Sequence, residues 1–239
     1  MLSKNKRCVA TFLLAVRRCS SLQPSATAFQ RDGVAFVSEF LPPAVFARIC
    51  DDIRSVRGGM KLEKDSIAVG RLGRYVDSRS EAHDCLTSDA VIQRVSRLVG
   101  APVEPSEYPI ELRSYRAGSG MEWHQDDLLY DLPQCELVIC IDNSSDSRTE
   151  WIDAGGELHA EWTPPNSALL VRAGETGAKH RVQSLKRGER TIIKSVWTTA
   201  EAKALESFYQ HIDSFPGLRN KERRPKAAAK ARRGGNNKR

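Results

Sequence analysis

The six cysteines of this sequence, Cys8, Cys19, Cys50, Cys85, Cys135 and Cys140, form no CxxC pair and no zinc-ribbon spacing, so the usual signatures of thiol redox and structural zinc are absent. Cys140, between Ile139 and Ile141, reads as a small buried apolar residue. Long apolar runs are missing too. The longest, around Phe12 to Val16, falls far short of the ~20 residues that cross a bilayer, so no membrane span is expected. No GK[ST] follows Gly118 and Gly120, which argues for turn glycines rather than a phosphate loop. Histidine is scarce. Any metal site must draw on His83, His124, His159, His180 and His211.

Acidic residues are absent from Met1 to Ala28. That stretch is rich in Ser and Arg, with Leu2, Val9, Phe12, Leu13 and Val16 clustering at helical period, the composition of an organelle transit peptide. Mitochondrial import is favoured; a secretory signal ending at Ala26-Thr27-Ala28, or plastid entry, is the alternative. At the other end, residues 218–239 carry ten positives and one acid, a solvated, disordered tail by composition. The five positives of residues 1–30 and the net +9 of that tail together exceed the whole-chain charge of +7, which leaves −7 for the middle. A phosphate-tracking surface on the folded part is thereby disfavoured. Nucleic acid is not an expected partner except through the tail.

What remains, residues 29–217, suits one domain. Gly33 to Val37 reads as a buried strand. Pro42-Pro43 opens a helix with Val45, Phe46, Ile49 and Ile53 at helical spacing, ended by Gly58-Gly59. A second helix runs from Asp89 to Val99, with Ser88 as N-cap and Gly100 as stop. From Ile110 the texture becomes strand-like: Ile110–Tyr115, Met121–His124, Leu137–Asp142, Gly156–Ala160, Ser167–Val171, His180–Val182 and Thr191–Trp197. This spacing implies a mainly β sandwich or jelly roll with flanking helices. Thr198-Thr199-Ala200-Glu201 has the form of a capping box before a closing helix with Leu205, Phe208, Tyr209 and Ile212 as its stripe.

In an extended chain residues i and i+2 point the same way, so His124 and Asp126 can aim an imidazole and a carboxylate at one point. A second histidine from a distant strand would complete a facial triad that leaves three adjacent metal positions open, as a ferrous oxygenase requires. His180 is the best candidate, because Arg190 follows ten residues on at the head of an apolar strand. His83 and His211 are expected to face solvent, and His159 to be a strand-face histidine and the reserve ligand. Trp123 is expected to pack, with Glu122 and Asp127 solvated or supporting.

Tyr115 with Gly118, His124-x-Asp126, Gly155-Gly156-Glu157-Leu158, Pro165 before Ala168-Leu169-Leu170, and His180-x9-Arg190 stand in an order that resembles the prolyl 4-hydroxylase-like 2-oxoglutarate/Fe(II) dioxygenases, over roughly Phe29 to Thr198. The resemblance implies a cupin-like double-stranded β-helix and an enzyme, a hydroxylase that converts 2-oxoglutarate and O₂ to succinate and CO₂, with ascorbate as an auxiliary reductant. It implies His124, Asp126 and His180 as Fe(2+) ligands, Arg190 as the cation for the co-substrate's far carboxylate, and Tyr115 as a hydroxyl donor to it. Some relatives carry Ser or Thr two residues after that arginine; Ile192 stands here, which shifts weight onto Tyr115. Asp126 disfavours a halogenase, and Val196 departs from the second arginine of nucleic-acid demethylases of the AlkB kind. The expected substrate is a peptidyl or amino-acid side chain on a peptide or protein. The alternatives are a small molecule, or a metal-binding β-helix protein without catalysis.

Overall fold

The structure, a computed structural model, describes residues 26–64 and 66–216. The expected leader before residue 26 and the basic tail lie outside the described residues.

Thirteen strands and five α-helices make up the described part. In order they are α1 (Ala26–Asp32), β1 (Val34–Val37), α2 (Pro43–Val56), β2 (Lys61–Leu62), β3 (Ala68–Val69), β4 (Leu72–Tyr75), α3 (Glu81–Leu86), α4 (Asp89–Val99), β5 (Glu104–Pro105), β6 (Glu111–Arg116), β7 (Gly120–His124), β8 (Cys135–Asn143), β9 (Thr149–Ile152), β10 (Leu158–Glu161), β11 (Ala168–Arg172), β12 (His180–Val182), β13 (Glu189–Thr198) and α5 (Glu206–Ser214). The strands form two antiparallel sheets. The larger runs β1-β11-β8-β13-β6-β4-β2, with β5 on the end of β13, and the smaller runs β10-β9-β12-β7-β3. From β6 to β13 the chain passes back and forth between the sheets, interrupted only by the β9–β10 hairpin, the winding of a double-stranded β-helix, or jelly roll.

The larger sheet is buried on both faces, and strand alternation decides what each face carries. Leu112, Leu137, Ile139, Leu170, Ile193 and Trp197 turn outward and pack with Ile49 and Ile53 of α2 and Val91, Val95 and Leu98 of α4 in the main core. Their neighbours in sequence turn inward. Tyr115 and Ile192 join Val182 of the smaller sheet in a separate cluster. The helices thus brace one side of a sheet whose other side is left for chemistry.

Pro43 opens α2, where a missing N–H costs nothing. Gly100 ends α4 in the left-handed conformation, with φ 78°. Ser88 stands at the N-cap of α4 as expected, yet its hydroxyl donates to Cys85 O at 2.8 Å instead of capping the helix. The capping-box expectation is overturned. Lys203 N donates to Asp131 Oδ1 at 2.7 Å and Leu205 N to Leu129 O at 2.9 Å, while Ala204 bridges to Tyr130. That pairing consumes the backbone of 203–205, so the helix starts only at Glu206. The Gly155-Gly156 pair likewise forms a turn fastened by Asp153 Oδ1, and β10 begins two residues later than expected. Helix α1 crosses residue 28, where the leader was expected to end. Helix α3 and strands β2, β3, β4, β5 and β9 are additions to the sequence reading.

Leu170 is 0 % exposed in the main core, whereas Leu158 on an edge strand is 58 % exposed. Leu170→Ala is therefore expected to cost about 3 kcal/mol of stability through lost burial and a residual cavity, and Leu158→Ala to cost almost nothing. Chemical denaturation of the two variants beside the wild type checks the contrast.

Candidate metal and oxoacid site

Strand β7 ends at His124 and β12 begins at His180, and antiparallel pairing sets these two residues directly opposite each other. Their rings lie 4.2 Å apart, centroid to centroid. Asp126 follows two residues after His124, with Oδ1 3.7 Å from His124 Nε2 and Oδ2 3.6 Å from His180 Nε2. Ligand atoms of all three lie within 4.8 Å of one another, the only such group of histidine, cysteine or carboxylate donors among the described residues.

The backbone fixes which nitrogen of each ring is free. His124 Nδ1 donates to Glu122 O at 2.9 Å and His180 Nδ1 to Ala178 O at 3.0 Å. A carbonyl only accepts, so each neutral ring carries its proton on Nδ1 and turns the lone pair of Nε2 toward Asp126. Asp126 Oδ2 is buried and accepts no hydrogen bond. Two ring lone pairs and an unused carboxylate oxygen around one point form a donor set that suits a divalent cation and would repel itself without one. Burial lowers His180, which keeps that ring neutral and able to ligate near pH 7.

The chain before His180 is pinned to hold this arrangement. Gln125 Nε2 donates to the carbonyls of Glu175 and Gly177, and Gly174 N to Asp126 O. A Cβ on Gly177 would lie 1.8 Å from Arg172 O, so only glycine permits the turn to close this tightly. Gly118, with φ +87°, makes the reversal between β6 and β7.

Arg190 sits near the start of β13, 3 % exposed, and lines the same cavity of about 270 Å³ as the triad. Its Nη1 donates to Thr149 Oγ1 on the smaller sheet at 2.7 Å, while its Nε has no partner. Tyr115 lies directly across from it on β6.

Sequence reasoning missed the rest of this cavity's wall. Glu136 pairs with Lys194 at 2.7 Å, Glu111 with Arg113 at 3.0 Å, and Glu63 with Arg71 at 2.6 Å. Burial and the nearby Asp126 push Glu136 upward, and Lys194 pulls it back. The available signal was parity. Lys194 and Glu136 interrupt apolar strands at positions that alternate with core residues Ile193 and Leu137, so they had to face inward together.

The remaining histidines fall as follows. His211 was expected in solvent, but α5 brings it to the cavity rim, half-exposed, where Nε2 lies 3.4 Å from Asp127 Oδ2. His83 is only partly exposed on α3, not fully in solvent. His159 contacts Asp153 Oδ2 at 2.9 Å and stacks on Trp151, away from the triad. Trp123 packs beneath the Arg181 guanidinium, 4.8 Å from ring centre to Cζ. Glu122 contributes its carbonyl, not its side chain.

No family model matches the chain, and no curated protein matches it. Solved structures do. A prolyl-4-hydroxylase of Pseudomonas putida aligns with a TM-score of 0.57 and 16% identity, covering 73% of this chain and 97% of that one. The non-haem α-ketoglutarate-dependent epimerase SnoN of nogalamycin biosynthesis gives 0.65 and 13%, covering 83% and 91%. HygX from Streptomyces hygroscopicus, solved with nickel, 2-oxoglutarate and hygromycin B, gives 0.55 and 10%, covering 74% and 87%. At these identities the likeness is one of fold.

The donor set predicts that Mn(II) raises the thermal midpoint of the wild type by binding the native state. Asp126→Ala, which removes the only anionic ligand, is expected to abolish that rise, as differential scanning fluorimetry with and without the ion will show.

Proposed function

We propose that this chain is a 2-oxoglutarate- and Fe(II)-dependent dioxygenase that hydroxylates a peptidyl or amino-acid side chain. One observation carries the reading: two Nε2 lone pairs and an unpartnered buried carboxylate oxygen converge on a point in the same cavity as a buried arginine whose Nε lacks an acceptor.

When bound, ferrous iron would bring O₂ and 2-oxoglutarate together, O₂ being the oxidant: one of its oxygen atoms ends in succinate as the oxoacid loses CO₂, and the other in the hydroxylated product. The protein's share is placement. His124, Asp126 and His180 would hold the metal through three donors and leave its remaining positions to exchangeable ligands. Arg190 offers its free Nε to the oxoacid's far carboxylate, a charge-assisted contact anchored by Thr149. Tyr115 stands across from it to satisfy a further carboxylate oxygen.

The fold shared with a prolyl-4-hydroxylase supports a peptidyl or amino-acid substrate. A small polar metabolite is the second reading, favoured by the paired acidic and basic side chains of Glu111, Glu136, Arg113 and Lys194 that line the cavity. For the termini we propose that the acid-free leader directs import, to the mitochondrion in preference to other organelles, and that any nucleic-acid contact belongs to the basic tail.

Incubation with Fe(II), ascorbate and 2-oxoglutarate is expected to yield succinate, stimulated by the right member of a panel of peptides, amino acids and polar metabolites. His180→Ala should abolish turnover. Arg190→Met should weaken the co-substrate by roughly ten- to a hundred-fold, the scale of a lost bond to a charged group. A folded wild type that binds no iron and makes no succinate would refute the proposal.

A further inference from the structure

Arg71 is 4 % exposed and lies in the turn between β3 and β4, remote in sequence from the triad. Its Nε and Nη2 grip both oxygens of Glu63 at 2.9 and 2.6 Å, and Nη2 also reaches Ser66 Oγ at 2.8 Å. The remaining nitrogen, Nη1, donates to Tyr115 Oη at 3.0 Å and to Met121 Sδ at 3.5 Å. A buried ion pair of this kind is costly, and an apolar pair of the same size would hold the turn as well or better.

The consequence for Tyr115 follows from what a phenol can do. Its oxygen accepts from Arg71, so its single proton must go elsewhere, yet among the described residues the hydroxyl donates to no acceptor. Directly across the strand pair stands Arg190, whose Nε is equally without one. Two buried donors at paired strand positions in one cavity, with nothing to receive them, call for an anionic acceptor. Accepting from a cation also polarises the phenol and strengthens its donation. Arg71 pairs with Glu63, which also lies 3.5 Å from Arg113, Arg113 pairs with Glu111 and Lys194 with Glu136, so Arg190 is the cation of this wall that has no carboxylate partner among the described residues, the match for one carboxylate.

We propose that Arg71, clamped by Glu63, is a positioning residue that aims and polarises the Tyr115 hydroxyl beside Arg190, and so makes the cavity select oxoacids that carry a second, distal carboxylate. This rests on the oxoacid reading above. It predicts a function for the β3–β4 turn that the triad alone does not require.

The test is calorimetric titration of the full chain loaded with Mn(II), comparing 2-oxoglutarate with 2-oxopentanoate, which has the same carbon chain but a methyl in place of the distal carboxylate. The wild type should prefer 2-oxoglutarate. The double variant Arg71→Gln/Glu63→Gln, which removes both charges of the pair while Arg113, 3.5 Å from Glu63, keeps its bond to Glu111, should bind 2-oxoglutarate roughly ten-fold more weakly, the scale of one charge-assisted bond, with 2-oxopentanoate and Mn(II) affinities unchanged. Tyr115→Phe should show the same selective loss, and combining the two should add little, since both remove one interaction. Arg71→Lys, which keeps a cation in reach of the hydroxyl, should restore most of the affinity. Equal loss for both oxoacids, or wild-type affinity in the double variant or in Tyr115→Phe, overturns the inference. A wild type that binds Mn(II) but neither oxoacid overturns the oxoacid reading itself.

Discussion

The antiparallel pairing of β7 with β12 is the constraint on which the rest of this structure depends. It sets His180 opposite His124 although they are 56 positions apart in the chain, and it leaves Asp126, just past the end of β7, within 4 Å of Nε2 on both rings. Backbone carbonyls then select the tautomer of each ring, so the free Nε2 atoms face the carboxylate. The arrangement is electrostatically incomplete. A buried carboxylate oxygen without a donor, facing two ring lone pairs, is stable only if a cation completes it. Everything around it, from the Gln125 hooks to the glycine at 177, serves to prevent relaxation.

The second organising feature is the division of labour between the faces of the larger sheet. On β13, Ile193 and Trp197 belong to the helix-braced core, while Arg190, Ile192 and Lys194 line the cavity. The same strand thus contributes stability with one parity and chemistry with the other. The inward face holds paired acids and bases where a core would hold aliphatic groups. Such pairs contribute little net stability once desolvation is counted, which is the physical reason to read them as functional. A rigid, apolar outer face is what makes an ionised inner one tolerable.

Much of this was legible in the residues. The spacing of His124 and Asp126 on an extended segment, and the placement of His180 ten residues before Arg190, identified the side chains that the fold brings together. Alternation found most of the long strands, and the proline and glycine punctuation found α2 and α4. What escaped was set by tertiary context. The two-residue strands β2, β3 and β5 have no period to detect. The closing helix began late because residues 203–205 pair with the loop at 129–131, a contact no local capping pattern reveals. Arg71 was invisible for the same reason: its role comes from a buried meeting with Tyr115, 44 positions away.

The most direct measurement is the visible spectrum of the anaerobic Fe(II)-loaded protein as 2-oxoglutarate is added. Chelation of the oxoacid through its keto oxygen and adjacent carboxylate, at a ferrous ion held by His124, Asp126 and His180, predicts a charge-transfer band that saturates at one equivalent. A folded, iron-loaded protein whose spectrum does not respond would contradict the account.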